Sequence, residues 1–211
     1  MTKNDIKILK PFGPTIAKVK IPKEILDKLN FWCEKKILNH DEINELSIGH
    51  KLAGNVTQEF ILDSDIIKTS GFLNFLLSAC MKWVELTENK KISKFNVLSS
   101  WIVRQFKNEY NPIHYHRGHI SGVGYLKVPK DFGTTVQKGK KNFNGNISFI
   151  HGSRNFNCLS NFEVKPQLGD FYIFPNYMMH TVYPFYKDIE ERRSISFNAV
   201  IDESIYDPYS N

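Results

Sequence analysis

Apolar residues along this chain keep two different periods. In IPKEILDKLNFWCEKKI, residues 21 to 37, they fall at Ile25, Leu26, Leu29, Trp32, Cys33 and Ile37. That spacing of three to four puts them on one side of a helix, and Pro22 suits a first turn because it has no N–H to leave unpaired. A second helix is predicted from about Gly71 to Leu86, with Phe72, Phe75, Leu76 and Met81 to Trp83 on a broad apolar face. Helices are therefore expected to dominate the first 90 residues. After Phe95 the grammar changes to short β-rich runs punctuated by Gly, Pro, Asn and Asp: VLSSWIVRQF, ISGVGYLKV, NISFIHG, FEVKP, GDFYIFP, HTVYPF and RRSISFNAVID. About seven such strands after a helical block predict a β-sandwich or barrel with helices packed on one outer face. The pattern shows no repeat and no linker, so a single domain over 1–211 is expected, with a helical supporting layer at about 20–90 and a β core at about 95–201. KGKKNFNGN, residues 138 to 146, reads as an exposed loop or hairpin tip.

Composition narrows this picture. Hydrophobic residues make up 41% and aromatic residues 13%, enough bulky surface to offset chain entropy, so the chain is globular and not disordered. The 28 Lys and Arg exceed the 22 Asp and Glu by six, mostly as scattered lysine. A dispersed excess of that size serves solubility and argues against nucleic acid as a partner. Cys33, Cys80 and Cys158 lie far apart with no Cys-x-x-Cys pair, so neither a disulfide framework nor a thiolate zinc site is indicated, and a reducing cytoplasm is the expected setting. The opening MTKNDIKILKPFG has no apolar core of a leader, and no apolar run approaches the length of a membrane span, so no membrane association is expected.

The candidate chemistry lies in the β half. In NPIHYHRGHISGVGYL, residues 111 to 126, His114 and His116 stand two apart and share a face of any extended segment, as two ligands of one metal must. Such a pair also occurs by chance in surface loops, and a third ligand has to come from elsewhere. His180, in GDFYIFPNYMMHTVYPF, sits at a strand start and supplies a candidate, although one histidine there could equally be structural. In RRSISFN, residues 192 to 198, alternation puts Arg192, Ser194, Ser196 and Asn198 on one face and Arg193, Ile195, Phe197 and Ala199 on the other. The polar face could simply meet water; if it lines a lumen, an arginine with a serine two residues on offers a forked cation and a hydroxyl to a carboxylate.

Taken in order, His-Tyr-His, ISGVGYL, GNISFIHGSR, GDFYIFPNYMMHTVYPF and RRSISFN resemble the iron(II)- and 2-oxoglutarate-dependent oxygenase superfamily over roughly residues 95 to 201. The resemblance is strongest to a branch from bacterial and phage genomes marked by His-x-His, Ser-Gly-Val and Arg-x-Ser-x-Ser-Phe-Asn. It implies a double-stranded β-helix, or jelly roll, with helices packed on one sheet, and Fe(II) held at one mouth with 2-oxoglutarate as co-substrate and O2. By the same resemblance the metal and catalytic residues are His114, His116 and His180, with His116 standing where the family usually has a carboxylate. Arg192, Ser194 and Tyr125 are the implied co-substrate residues. Arg193 should then point outward, unless a one-residue bulge exchanges it with Arg192. His119 is a reserve ligand expected to face solvent or substrate, and Gln105 and Asn198 are further pocket polars. Gly122 and Gly124 could admit a close neighbour. Residues 39–62 and 131–146 are expected to shape the substrate entrance. The competing reading is a non-catalytic jelly roll holding a structural or sensory metal, zinc or nickel, and another small carboxylate. The primary substrate carries no sequence signature.

Overall fold

In the computed structural model residues 5–9, 11, 13–188, 191–207 and 209 are described, 40 and 42 by backbone alone. Strands β1 (Ile6–Leu9) and β2 (Ile16–Lys20) come first, followed by α1 (Lys23–Leu38), α2 (His40–Glu45), β3 (Gln58–Ile61), α3 (Ser64–Thr69) and α4 (Phe72–Glu88). The β half contains β4 (Phe95–Gln105), β5 (Asn111–His114), β6 (Ile120–Lys127), β7 (Ile147–Ile150), β8 (Asn161–Val164), β9 (Asp170–Pro175), β10 (Met179–Val182) and β11 (Arg192–Ile201), and α5 (Glu203–Tyr206) follows. The seven strands expected there all form. Helices dominate the first 90 residues as expected, but β1, β2 and β3 also lie within them.

Two antiparallel sheets face each other, one ordered β1-β2-β9-β6-β11-β4-β3 and the other β5-β10-β7-β8. This is the expected jelly roll, with the larger sheet extended at both edges by strands from the N-terminal half. IKIL, IAKVK and QEFI are short and mixed in polarity, so neither period announces them; they form because the sheet edges offer unpaired backbone groups.

Alternation along β11 divides its side chains between two compartments. Ile195, Phe197, Ala199 and Ile201 join Leu29 and Cys33 of α1 and Phe72, Phe75 and Leu76 of α4 in a core between the larger sheet and the helices. A smaller core between the sheets holds Val123, Tyr125, Ile147, Phe149, Phe174 and Val182. Gly122 and Gly124 make the first core possible: a Cβ on Gly124 would sit 2.2 Å from Phe171 Cδ2, and one on Gly122 would sit 2.5 Å from Phe197 Cε1. The rings of Phe171 and Phe197 occupy that space, 5.9 Å apart.

Arg193 takes the helix side, as its parity requires, but it does not reach water. It is 1% exposed and donates to Asn30 at 2.9 Å, to Glu34 at 2.6 Å and to Glu191. Glu191 also accepts from Arg104. The outward position on this sheet lies beneath α1. The register does shift beside Arg193, where Arg193 pairs with Lys127 and Ser194 with Tyr125. The extra residue is Leu126 of β6, so β11 keeps its alternation and Arg192 stays on the inner face.

Candidate metal centre

His114 ends β5 and pairs directly with His180 of β10. His116 lies two residues beyond, held by its backbone N–H to the Asn176 carbonyl at 3.0 Å and by the Asn176 amide to its own carbonyl at 3.2 Å. The three imidazoles bring one ligand atom each to within 4.8 Å of the others. His116 Nε2 and His180 Nε2 are 3.1 Å apart. Two nitrogens bound at right angles to one ion at about 2.1 Å would stand roughly 3 Å apart, so this spacing suits a shared metal.

Hydrogen bonds behind two of the rings fix their tautomers. His114 Nδ1 lies 2.7 Å from the Pro112 carbonyl and His180 Nδ1 2.9 Å from the Met178 carbonyl. A carbonyl only accepts, so each Nδ1 carries the proton and each Nε2 keeps its lone pair. Burial disfavours the charged form of all three rings, and for His116 and His180 neighbouring imidazoles add to it, taking His116 down to about 3 and His180 well below its usual range. The cluster is therefore neutral, the form that binds metal.

The same hollow, about 410 Å³, is lined by the three histidines and by Trp101, Val103, Phe174, Arg192, Ser194 and Ser196 among others. Arg192 is 1% exposed. Its Nη1 donates to Gln105 Oε1 at 3.0 Å, while Nε and Nη2 have no partner. No carboxylate pairs with it among the described residues. A buried guanidinium with two idle donors has the chemistry to receive an anion, and a carboxylate matches its fork. Ser194 stands on the wall beside it. Tyr125 lies under the cation, its ring centroid 4.9 Å from Cζ and its buried hydroxyl turned toward the guanidinium. Gln105 is the support of Arg192 and not part of the wall.

His119 is not brought to this cluster. It stacks on Tyr206 at 3.9 Å, and its Nδ1 accepts from the Ile201 N–H at 3.1 Å. Outside the hollow a wider chamber of about 1080 Å³ opens, lined by Leu52, Glu59, Leu98, Trp101, Asn111 and Asn198 among others. Residues 51–53 and Glu59 thus contribute to the mouth as expected of their segment, whereas none of residues 131–146 lines either cavity. Sequence reasoning missed Glu59, Trp101 and Asn111 at this mouth. Asn111 and Trp101 could have been found by following the inward parity of β4 and β5; Glu59 carried no signal.

Residues 99–198 match the family model described as "Putative 2OG-Fe(II) oxygenase", a span that contains all three histidines, Tyr125, Arg192 and Ser194. Over that span the chain is similar to the 2-oxoglutarate–Fe(II) oxygenases. Solved structures share the fold at low identity. A prolyl-4-hydroxylase of Pseudomonas putida is 13% identical, with 88% of this chain and 91% of that one covered and a TM-score of 0.54. AviO1 of Streptomyces viridochromogenes Tue57 is also 13% identical, with 90% of each chain covered and a TM-score of 0.58. HygX of Streptomyces hygroscopicus, solved with nickel, 2-oxoglutarate and hygromycin B, is 12% identical over 88% of this chain and 82% of that one, with a TM-score of 0.54. No curated protein matches the sequence. The oxygenase superfamily's two requirements, a metal and a dicarboxylate co-substrate, meet matching chemistry here: neutral Nε2 lone pairs for the ion and idle buried N–H donors for the acid.

Proposed function

We propose that this chain is an Fe(II)- and 2-oxoglutarate-dependent oxygenase, most simply a hydroxylase, with the iron on His114, His116 and His180 and the distal carboxylate of 2-oxoglutarate on Arg192 and Ser194. The observation that carries the reading is the buried, unneutralised Arg192 in the same hollow as three neutral imidazoles. Bound iron, with 2-oxoglutarate and O2, supplies the oxidising power to convert a C–H bond to C–OH. The chain's own residues position and shield. Gln105 orients the guanidinium, and Tyr125 supports it from below. Trp101, Val103, Phe174 and Val182 line the hollow with apolar surface and exclude water. Three neutral imidazoles leave the centre one unit more positive than two imidazoles and a carboxylate would, which strengthens its hold on an anionic co-substrate.

The helical layer and the jelly roll form one folding unit in this reading, since the Arg193 network ties α1 to β11. No helix of the described residues is long and apolar enough to cross a membrane. Three free thiols suit a reducing, cytoplasmic setting. Anaerobic addition of Fe(II) and then 2-oxoglutarate tests the function: the weak visible charge-transfer band of the chelate is expected, followed by succinate on admission of O2. Metal binding with neither band nor succinate would instead favour the non-catalytic binding protein.

A further inference from the structure

The chamber outside the metal hollow contains one acid among its lining residues, Glu59 of β3. It is 2% exposed, and its Oε2 has no hydrogen-bond partner. Its Oε1 is turned toward the Asn111 amide, which hydrogen-bonds the carboxyl. Gly54 and Gly49 flank the group: a Cβ on Gly54 would stand 2.7 Å from Oε1 and 2.7 Å from Asn111 Nδ2, and one on Gly49 would stand 3.7 Å from Oε2. The loop thus leaves the carboxyl room that larger residues would fill. No cation among the described residues pairs with it; Lys51 and Arg117, which line the same chamber, are exposed, and Glu109, another acid, adds to the cost of its charge. Glu109 is itself engaged by the Thr57 and Phe106 backbone N–H groups and the Thr57 hydroxyl.

A carboxyl shielded from water with an idle acceptor oxygen costs free energy unless a donor reaches it, and a charged donor offsets the most. His114, His116 and Trp101 line both cavities, so a molecule on Glu59 lies beside the metal centre. We propose that Glu59 anchors the primary substrate through a cationic nitrogen, an ammonium or guanidinium group, leaving the rest of that molecule over the histidine cluster. This assignment of substrate class rests on the oxygenase reading for its catalytic meaning, but the binding site it names can be tested separately.

The test compares n-butylammonium with n-butanol, a neutral probe of like shape, by ligand-observed NMR on the full chain with Fe(II) and 2-oxoglutarate under argon at pH 8. The expected result is at least about tenfold tighter binding of the ammonium, roughly 1.4 kcal/mol. That preference should vanish in Glu59→Gln and persist, weakened, in Glu59→Asp. Equal binding of both probes by the wild type, or a preference that survives Glu59→Gln, would overturn the assignment. The wild-type comparison needs no variant to fold. If the wild type forms no chelate band yet still prefers the ammonium, the oxygenase reading fails and the Glu59 site stands.

Discussion

Replacing Arg192 by methionine should move stability and ligand affinity in opposite directions. Without ligand, the guanidinium is a buried charge whose one described hydrogen bond is the neutral contact to Gln105. The effective penalty for burying an uncompensated ion is several kcal/mol, while the lost hydrogen bond to Gln105 costs about 1 kcal/mol. Methionine keeps the stem's packing, so the ligand-free variant should be as stable as the wild type or more so, its melting temperature rising by a few degrees at about 2 to 4 °C per kcal/mol. With 2-oxoglutarate, the sign reverses. Removing one partner of a buried ion pair costs about 3 to 5 kcal/mol, which at 1.4 kcal/mol per decade weakens 2-oxoglutarate by roughly a hundredfold to several thousandfold. Arg193→Met is the contrast: it should leave 2-oxoglutarate binding within about twofold and destabilise the fold by about 2 to 4 kcal/mol, because buried Glu191 keeps only Arg104 and a longer contact from Lys127 at 3.5 Å. Thermal denaturation of the ligand-free proteins and anaerobic calorimetry with Fe(II) present read both quantities. If Arg192→Met melts early as Arg193→Met does and retains 2-oxoglutarate affinity within about threefold, Arg192 is a structural cation and the site reasoning fails.

Further outcomes follow from the same geometry. His180→Ala should abolish stoichiometric Fe(II) binding, read by metal analysis after anaerobic gel filtration, and should lower stability by about 1 to 3 kcal/mol, since the ring packs against Phe149 and Phe174; full iron retention would count against the triad. Gly124→Ala should lower the urea midpoint by the equivalent of about 1 to 3 kcal/mol or more, because its methyl would overlap Phe171 and Ile21 on the sheet's helix side; an unchanged midpoint would show that the rings have room to yield. Burial, reinforced by Glu109 and opposed by the Asn111 hydrogen bond, pushes the Glu59 carboxyl up to about 7 from an ordinary 4.5. The folded chain therefore holds that proton between those values while the unfolded chain releases it, so this group's contribution is most favourable below about pH 4.5 and is lost by up to about 3 kcal/mol as pH rises through 7. Urea denaturation of wild type and Glu59→Gln at pH 5 and pH 8 should show the variant gaining on the wild type at the higher pH, and no change in their difference would mean that the carboxyl is solvated.

Much of this protein was legible before folding because its two periods are local properties of the chain. The spacing at Leu29 and Cys33 placed α1, and the alternation through RRSISFN placed Arg192 and Ser194 on one face and Ile195 and Phe197 on the other. Once the strands pair, that alternation becomes a division between metal hollow and helix core, since successive side chains of a strand must point oppositely. Resemblance in the order of the histidine and arginine motifs did the rest, naming the family that the match over 99–198 later supported.

Other features could be decided only by distance in three dimensions. β1, β2 and β3 exist because the larger sheet has edges to extend, and no short run of residues encodes the presence of a neighbour. Arg193, outward by parity, meets α1 and not water because a helix from 160 residues earlier lies across that face, as the separations of 163 to Asn30 and 159 to Glu34 record. Glu59 is an ordinary acid in the sequence; its burial, its idle oxygen and its place at the mouth arise from β3 pairing with β4 on the far side of the sheet from β1. Periodicity fixes which way a side chain points from its own strand. What it then meets, and whether its charge is neutralised there, depends on chain segments that only the packed structure brings together.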